Sequence, residues 1–249
     1  CSCLLPIFML LLNIIETGVG KMATALTVLK NTAKAGNVII GSGCYAAVLE
    51  HRSNCEKAIK IGNSSNDPWL EYYERVIQPL QGNPHVPRIE TLYVDHQNDY
   101  YVANMERLQS TMYDDFDADD EDFNYNLKEE LADDIDQYIK GEIKWKQFKR
   151  TWEDYPQIVD LPALRQLMDA ILDATDALTE EDQSEIIDNA VDLELYNKLD
   201  LHSGNIMFRN NTVVITDPWC GVLVEDHPSM DNYIEASEDK AIYENYCTA

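Results

Sequence analysis

Short strand-like runs of apolar residues cover 38–49 and 55–61, each bounded by Gly or Asn. Asn66-Asp67-Pro68 then marks a helix start, a cap residue followed by a proline at the first helical position. Beyond it Trp69, Tyr72, Tyr73, Val76, Ile77 and Leu80 recur at helical spacing, and Gln81-Gly82-Asn83-Pro84 stops the run. Two further strands are predicted at 89–94 and 100–105. The order is two strands, a helix and two strands, which reads as a small sheet unit carrying one helix.

The second half has another texture. Helical patterns are predicted over 125–149, 162–178 and 181–198. A loop and hairpin follow over 200–218, with Asn210-Asn211 as the turn, and a helix with a tail over 229–247. Before these helices, 113–122 is a block rich in Asp, too charged to pack, and it reads as a solvated loop. At the other end, 4–15 is almost wholly apolar yet too short for a membrane span, and no basic segment precedes it as in a signal peptide. Residues 1–21 are therefore expected to be an extension, with the natural start near Met22.

Charge and cysteine content narrow the classes. With 45 Asp and Glu against 19 Lys and Arg, the net charge of -26 repels phosphate backbones and anionic membranes, so neither nucleic acid nor membrane is an expected partner. The six cysteines are scattered with no C-x-x-C pair, which points to a reducing compartment and not to a metal or disulfide framework.

The chemistry concentrates in Leu199-Asp200-Leu201-His202-Ser203-Gly204-Asn205-Ile206-Met207-Phe208, followed by Ile215-Thr216-Asp217. Phosphoryl transfer asks the protein for a carboxylate that orients the attacking hydroxyl and for oxygen ligands that hold magnesium against phosphates. Asp200, with Asn205 five residues on and Asp217 after the next strand, has the spacing of a kinase catalytic loop and its metal-binding Asp. Asn205 and Asp217 are the candidate magnesium ligands. Upstream, Ile40-Gly41-Ser42-Gly43-Cys44-Tyr45-Ala46-Ala47-Val48 resembles a nucleotide-covering glycine loop, with Gly41, Ser42, Gly43 and Val48 as candidate contacts to ATP. Ala58-Ile59-Lys60 resembles the strand lysine that contacts the α- and β-phosphates. Such a lysine is expected to pair with a helix glutamate, here Glu71, or Glu74 one turn on. The run from Val102 to Leu108 resembles a kinase hinge, with Met105 as gatekeeper and the backbone groups of Glu106 and Leu108 facing the adenine edge.

Together these motifs are similar to the early serine/threonine protein kinase of phage-T-seven-like podoviruses, over about residues 36–220. The resemblance implies an α+β, two-lobed protein-kinase-like fold. Its sheet-rich N-lobe would span 22–108 and its reduced helical C-lobe 109–249. It also implies transfer from ATP with Mg2+ to Ser and Thr of host bacterial proteins of the transcription or RNA-processing machinery, self-phosphorylation, and action in the cytoplasm of the infected host. Two positions depart from ordinary protein kinases. Leu199 stands where many have Arg, which removes a partner for an activating phosphate, and His202 stands where a Lys usually meets the γ-phosphate. The D-x-H-x-G-N form is shared with aminoglycoside- and choline-type small-molecule kinases, the alternative class. A non-catalytic binding protein on the same scaffold is the third.

Overall fold

The computed structural model describes residues 24–112, 121–156, 158–185 and 198–220. Its architecture is α+β. An antiparallel sheet of five strands is built from β1 (Val38–Ser42), β2 (Ala46–Glu50), β3 (Lys57–Gly62), β4 (Ile89–Asp95) and β5 (Tyr100–Glu106), in the order β1-β2-β3-β5-β4. The predicted run 38–49 is thus two strands folded about the Ser42–Ala46 turn. Gly41 and Ser42 still pair with Val48 and Ala47, the register shifts between Ile39 and Gly41, and the chain reverses just beyond Ser42.

Successive residues of β5 face opposite ways, as in any strand. Tyr100 and Val102 join Ile39, Ala47, Leu49, Ile59 and Ile61 under a helix, α1 (Ala25–Lys34), whose Ala25, Val28 and Leu29 fill that side. The strand reading missed α1. Its signals are local: Thr24 caps it through its side chain, and its apolar residues are spaced three and four apart. Tyr101 and Ala103 point to the opposite face and enter the larger core.

Asp67 and Pro68 open α2 (Trp69–Tyr72), which continues as a wide π-helical turn over Tyr73–Ile77. The Asp67 carboxylate accepts from Trp69 N–H at 2.9 Å, so the predicted helix start stands. Trp69, Tyr72, Val76 and Ile77 are fully buried on the face turned to the larger core.

The remaining helices depart from the predicted pattern at their joints. The stretch 125–149 is two helices, α3 (Glu121–Ile139) and α4 (Trp145–Trp152), because Gly141 takes φ +73° and ends the first. Conversely 162–178 and the start of 181–198 are one helix, α5 (Leu161–Glu185), since no Gly or Pro interrupts Thr179-Glu180. Leu127, Leu131 and Ile135 of α3 meet Leu164, Leu167, Met168 and Ile171 of α5 in the core. The rest of the predicted helix 181–198, most of the acidic block, the N-terminal 1–21 segment and the predicted helix 229–247 lie outside the described residues. No described helix is long and apolar enough to cross a membrane.

The predicted hairpin forms as β7 (Ile206–Arg209) and β8 (Thr212–Ile215). Asn210 at φ 51° takes the left-handed conformation that its turn requires. Two short strands, β6 (Lys198–Leu199) and β9 (Trp219–Cys220), pair antiparallel beside it.

His85 fixes this hairpin to the segment after α2. The ring is fully buried, Nδ1–H donates to the Val213 carbonyl at 2.8 Å, and Nε2 accepts from Asp160 N–H at 3.1 Å. The bond from Asp160 needs a lone pair on Nε2 and hence the neutral ring, and burial holds the pKa of the ring below the ordinary 6.5. In the unfolded chain the imidazole takes up a proton near 6.5, whereas the folded one resists. Its stabilising contribution is whole above that value and is lost as the pH falls below it toward the lower folded pKa. The melting temperature is therefore expected to drop between pH 7 and pH 5. His85→Asn should melt lower at pH 7, by about 1–3 kcal/mol for the stranded Asp160 N–H, and lose this part of the slope. Parallel slopes for the two proteins in thermal melts across that range would contradict the assignment.

Candidate functional site

Two backbone pairings bring the chemical residues together. The β6–β9 ladder places Leu199 opposite Trp219, and Asp200 N–H then donates to the Pro218 carbonyl at 2.8 Å. Asp200 and Asp217 thus leave the same short ladder side by side. Across the hairpin, Thr216 donates twice to the Asn205 carbonyl, from N–H at 2.9 Å and from its hydroxyl at 3.1 Å. Asn205 in turn donates its amide to the Asp200 carbonyl at 2.7 Å. The D-x-H-x-G-N spacing is the number of residues needed to turn one tight loop and return to this bond.

His202 and Gly204 explain the middle of the motif. The imidazole Nδ1 accepts from Gly204 N–H at 3.0 Å, so the ring folds over the glycine. A Cβ at residue 204 would lie 2.7 Å from that ring. His202 Nε2 then comes to 4.0 Å from the Asp200 carboxylate. From outside, Glu129 of α3 accepts from Ser203 N–H at 3.2 Å. Hydrogen bonds from Ser203 hold that carboxyl below its usual range.

Behind the loop, Trp219 is buried, as its size next to Asp217 suggests. Its indole donates to Thr175 at 3.0 Å and it meets Tyr72 edge-on at 5.7 Å. The Tyr72 hydroxyl donates to the Ile215 carbonyl at 2.9 Å, tying α2 to β8 just before Asp217.

A cavity of about 890 Å³ lies in front of this assembly, in the range of ligand sites. It is lined by Gly41, Ser42, Gly43 and Val48, by Lys60, by Met105, Glu106 and Leu108, and by Asp200, His202, Asn205 and Asp217. Every sequence-predicted site residue except Glu71 meets here.

The exception is a correction. Glu71 pairs with Arg75 one turn on at 2.8 Å, and Glu74 is exposed. The local i,i+4 partner takes the glutamate that the motif assigned to Lys60. Lys60 instead donates to Asp217 at 2.9 Å and sits 4.7 Å over the Trp69 ring. Glu106 also differs in detail. Its N–H is bonded to the Arg88 carbonyl at 3.1 Å, and its carboxylate clamps Arg209 of β7. The next backbone groups remain suited to a ligand edge, because Leu108 N–H has no hydrogen-bond partner among the described residues and Gln109 exchanges two bonds with Phe208 just beyond.

Asp67 and Lys128 also line this cavity, and no sequence motif places either in the site. Asp67 reads in the sequence as part of a helix start, yet it is 7% exposed, and the Tyr101 hydroxyl donates to it at 2.5 Å. Lys128 of α3 was hidden in a helical pattern beside Leu127. It reaches the Ser110 carbonyl at 3.2 Å, and burial pulls its pKa down.

Asp217 carries the electrostatic signature of the site. Burial, with the nearby Asp67 and Asp200 charges adding to it, pushes its carboxyl up to about 6 against the pull of Lys60. One oxygen bonds Lys60, and the other, Oδ1, is buried with no hydrogen-bond partner. An orphaned buried carboxylate oxygen is costly unless something fills it. Magnesium suits this donor set, since it binds through one or two protein oxygens and completes its shell with phosphate and water. Asp217 and Asn205 are the residues that would hold it.

The family model of bacteriophage T7 protein kinase 0.7 matches residues 14–238. The chain belongs to this phage kinase family. A search of the curated proteins finds no match. Membership makes the chain a phage-type protein kinase, a class that uses ATP.

Proposed function

We propose that this chain is a serine/threonine protein kinase that transfers the γ-phosphoryl group of ATP to host bacterial proteins in the cytoplasm of the infected cell, and to itself. In this reading residues 22–108 form an N-lobe, 109–249 a reduced helical C-lobe, and the cavity is the nucleotide cleft between them. The observation that carries it is the meeting of Lys60, Asp200, Asn205 and Asp217 on one cavity roofed by the glycine loop.

The roles follow from the geometry. Bound magnesium would neutralise charge on the phosphates and hold them in line. Lys60, buried on the central strand β3, supplies a fixed positive charge to the phosphates. Asp200 is half exposed at the cavity mouth, where an acceptor hydroxyl can reach it, and it orients that hydroxyl and takes its proton. Asn205 and Asp217, next to it, offer the oxygens that would hold the metal. Met105 closes the back of the adenine pocket, while Glu106 and Leu108 present backbone edges to the base. The Gly41-Ser42-Gly43 backbone approaches the phosphates, with Val48 packing above the base. His202, hydrogen-bonded over Gly204, points its Nε2 toward Asp200 in place of the usual lysine.

Gly204→Ala is expected to slow transfer by about 10–100-fold while the protein still folds, because the new methyl displaces the His202 ring and the loop behind it. Steady-state rates with circular dichroism check this, and an unchanged rate would show that the ring position does not matter.

The functional assignment is tested by incubating the protein with γ-labelled ATP, magnesium and bacterial lysate, then hydrolysing the labelled proteins. Label in phosphoserine and phosphothreonine supports it. Turnover only with aminoglycosides, choline or similar small acceptors would replace it with the small-molecule class.

A further inference from the structure

Once the carboxylate of Asp217 turns to a metal–nucleotide ligand, Lys60 needs another counter-charge to stay fixed. The described carboxylates around it are mostly committed elsewhere. Glu71 is paired with Arg75, Glu50 with Arg107 and Glu106 with Arg209, and Asp200 is half exposed at the mouth. Asp67 is the acid left lining the same cavity as Lys60, its charge acts on Asp217, and its N–H donor Trp69 carries the ring under the Lys60 ammonium.

Its surroundings are built to hold it. Each carboxylate oxygen has one fixed donor, Tyr101 O–H on one and Trp69 N–H on the other, which leaves lone pairs free on both. Burial keeps the Tyr101 phenol protonated and therefore a donor. Gly62 makes room for that phenol, since a Cβ there would lie 2.5 Å from the ring and its hydroxyl. Trp69 stacks on Tyr101 at 5.2 Å with the planes 13° apart, and its other role is the aromatic surface beneath Lys60. One aromatic stack thus fixes the carboxylate and supports the ammonium.

We propose that Asp67 is the positioning residue for Lys60, holding its ammonium against the phosphates in the loaded site, the task that the motif assigned to a glutamate of α2. The inference rests on the kinase reading of the cavity. It implies that this chain anchors its strand lysine from the segment just before the helix and not from the helix body.

The test combines a measurement without nucleotide and one with it. In the first, the rate at which an acetylating reagent modifies Lys60 is read by mass spectrometry of the unliganded protein. A carboxylate partner keeps an amine protonated and slow to react. In an Asp217→Asn background, adding Asp67→Asn is expected to raise the Lys60 rate several-fold, on the order of the effect of losing a close counter-charge. An unchanged rate overturns the proposal. In the second, the ATP dissociation constant is measured for Asp67→Asn, Lys60→Met and the double variant. Asp67→Asn should weaken binding about tenfold, as for other groups that orient a ligand-holding side chain. It should add nothing in the Lys60→Met background. Equal weakening in both backgrounds means Asp67 acts through the fold and overturns the proposal.

Asn retains the oxygen that caps Trp69 N–H. If that variant fails to fold, Asp67→Ser, which also caps a helix and carries no charge, takes its place in both arms. Should wild-type protein bind no ATP, the kinase reading fails, and the acetylation arm still decides whether Asp67 holds Lys60.

Discussion

Asp217→Asn is expected to reduce phosphoryl transfer by about three orders of magnitude or more. A metal ion stabilises transition-state charge by several kcal/mol, and each ~1.36 kcal/mol is tenfold in rate. The loss should come with a folded protein. The substitution removes a carboxylate whose burial is unfavourable: burial pushes its pKa up to about 6, and one oxygen has no hydrogen-bond partner. The same shift gives a pH signature. Below about 6 the unliganded site binds a proton at Asp217, and that proton competes with magnesium. Magnesium-dependent ATP affinity in the wild type should therefore weaken as the pH falls through 6, and the variant should lack this dependence. Isothermal titration at several pH values, alongside rate measurements, reads both effects. Near-normal activity in the variant would remove Asp217 from the metal role.

Asp200→Asn is expected to cost about 10²–10⁴-fold in rate, the range for a positioned acid–base group, with ATP affinity little changed. The distinction from Asp217 is structural. Asp200 stands half exposed at the mouth of the cavity, whereas Asp217 is drawn inward by Lys60. Asparagine keeps the size of the side chain, and the backbone bonds of residue 200 to Pro218 and Asn205 do not involve the carboxylate. A large loss of ATP binding would make Asp200 a metal or structural group instead. Rates at saturating ATP, with the dissociation constant measured separately, separate the two.

What the sequence made legible was local. The catalytic loop could be read because its logic is a closed turn: Asn205 bonds Asp200 five residues back, and Gly204 must lack a Cβ under the His202 ring. The hairpin after it followed from Asn210-Asn211, and Lys60 from a short strand pattern. What stayed hidden depends on contacts made across the fold. The role of Asp67 follows from a tyrosine 34 residues away, and that of Lys128 from the way α3 lies against Ser110. His85 looked like part of a loop, yet it bonds residues 75 and 128 positions on. Glu71 failed for the opposite reason. Helical spacing made it available, and the same spacing gave it Arg75 as a nearer partner.

The claim that one cavity performs protein phosphorylation is tested most directly by a paired assay. Wild-type protein and Asp200→Asn are matched for folding and for ATP binding. Each is incubated with γ-labelled ATP, magnesium and the same bacterial lysate, and labelled proteins are resolved on a gel. Wild type is expected to label a set of host proteins on serine and threonine, and Asp200→Asn to leave them unlabelled over the same time. Equal labelling by both proteins, or none by the wild type while it binds ATP and magnesium, would contradict the account.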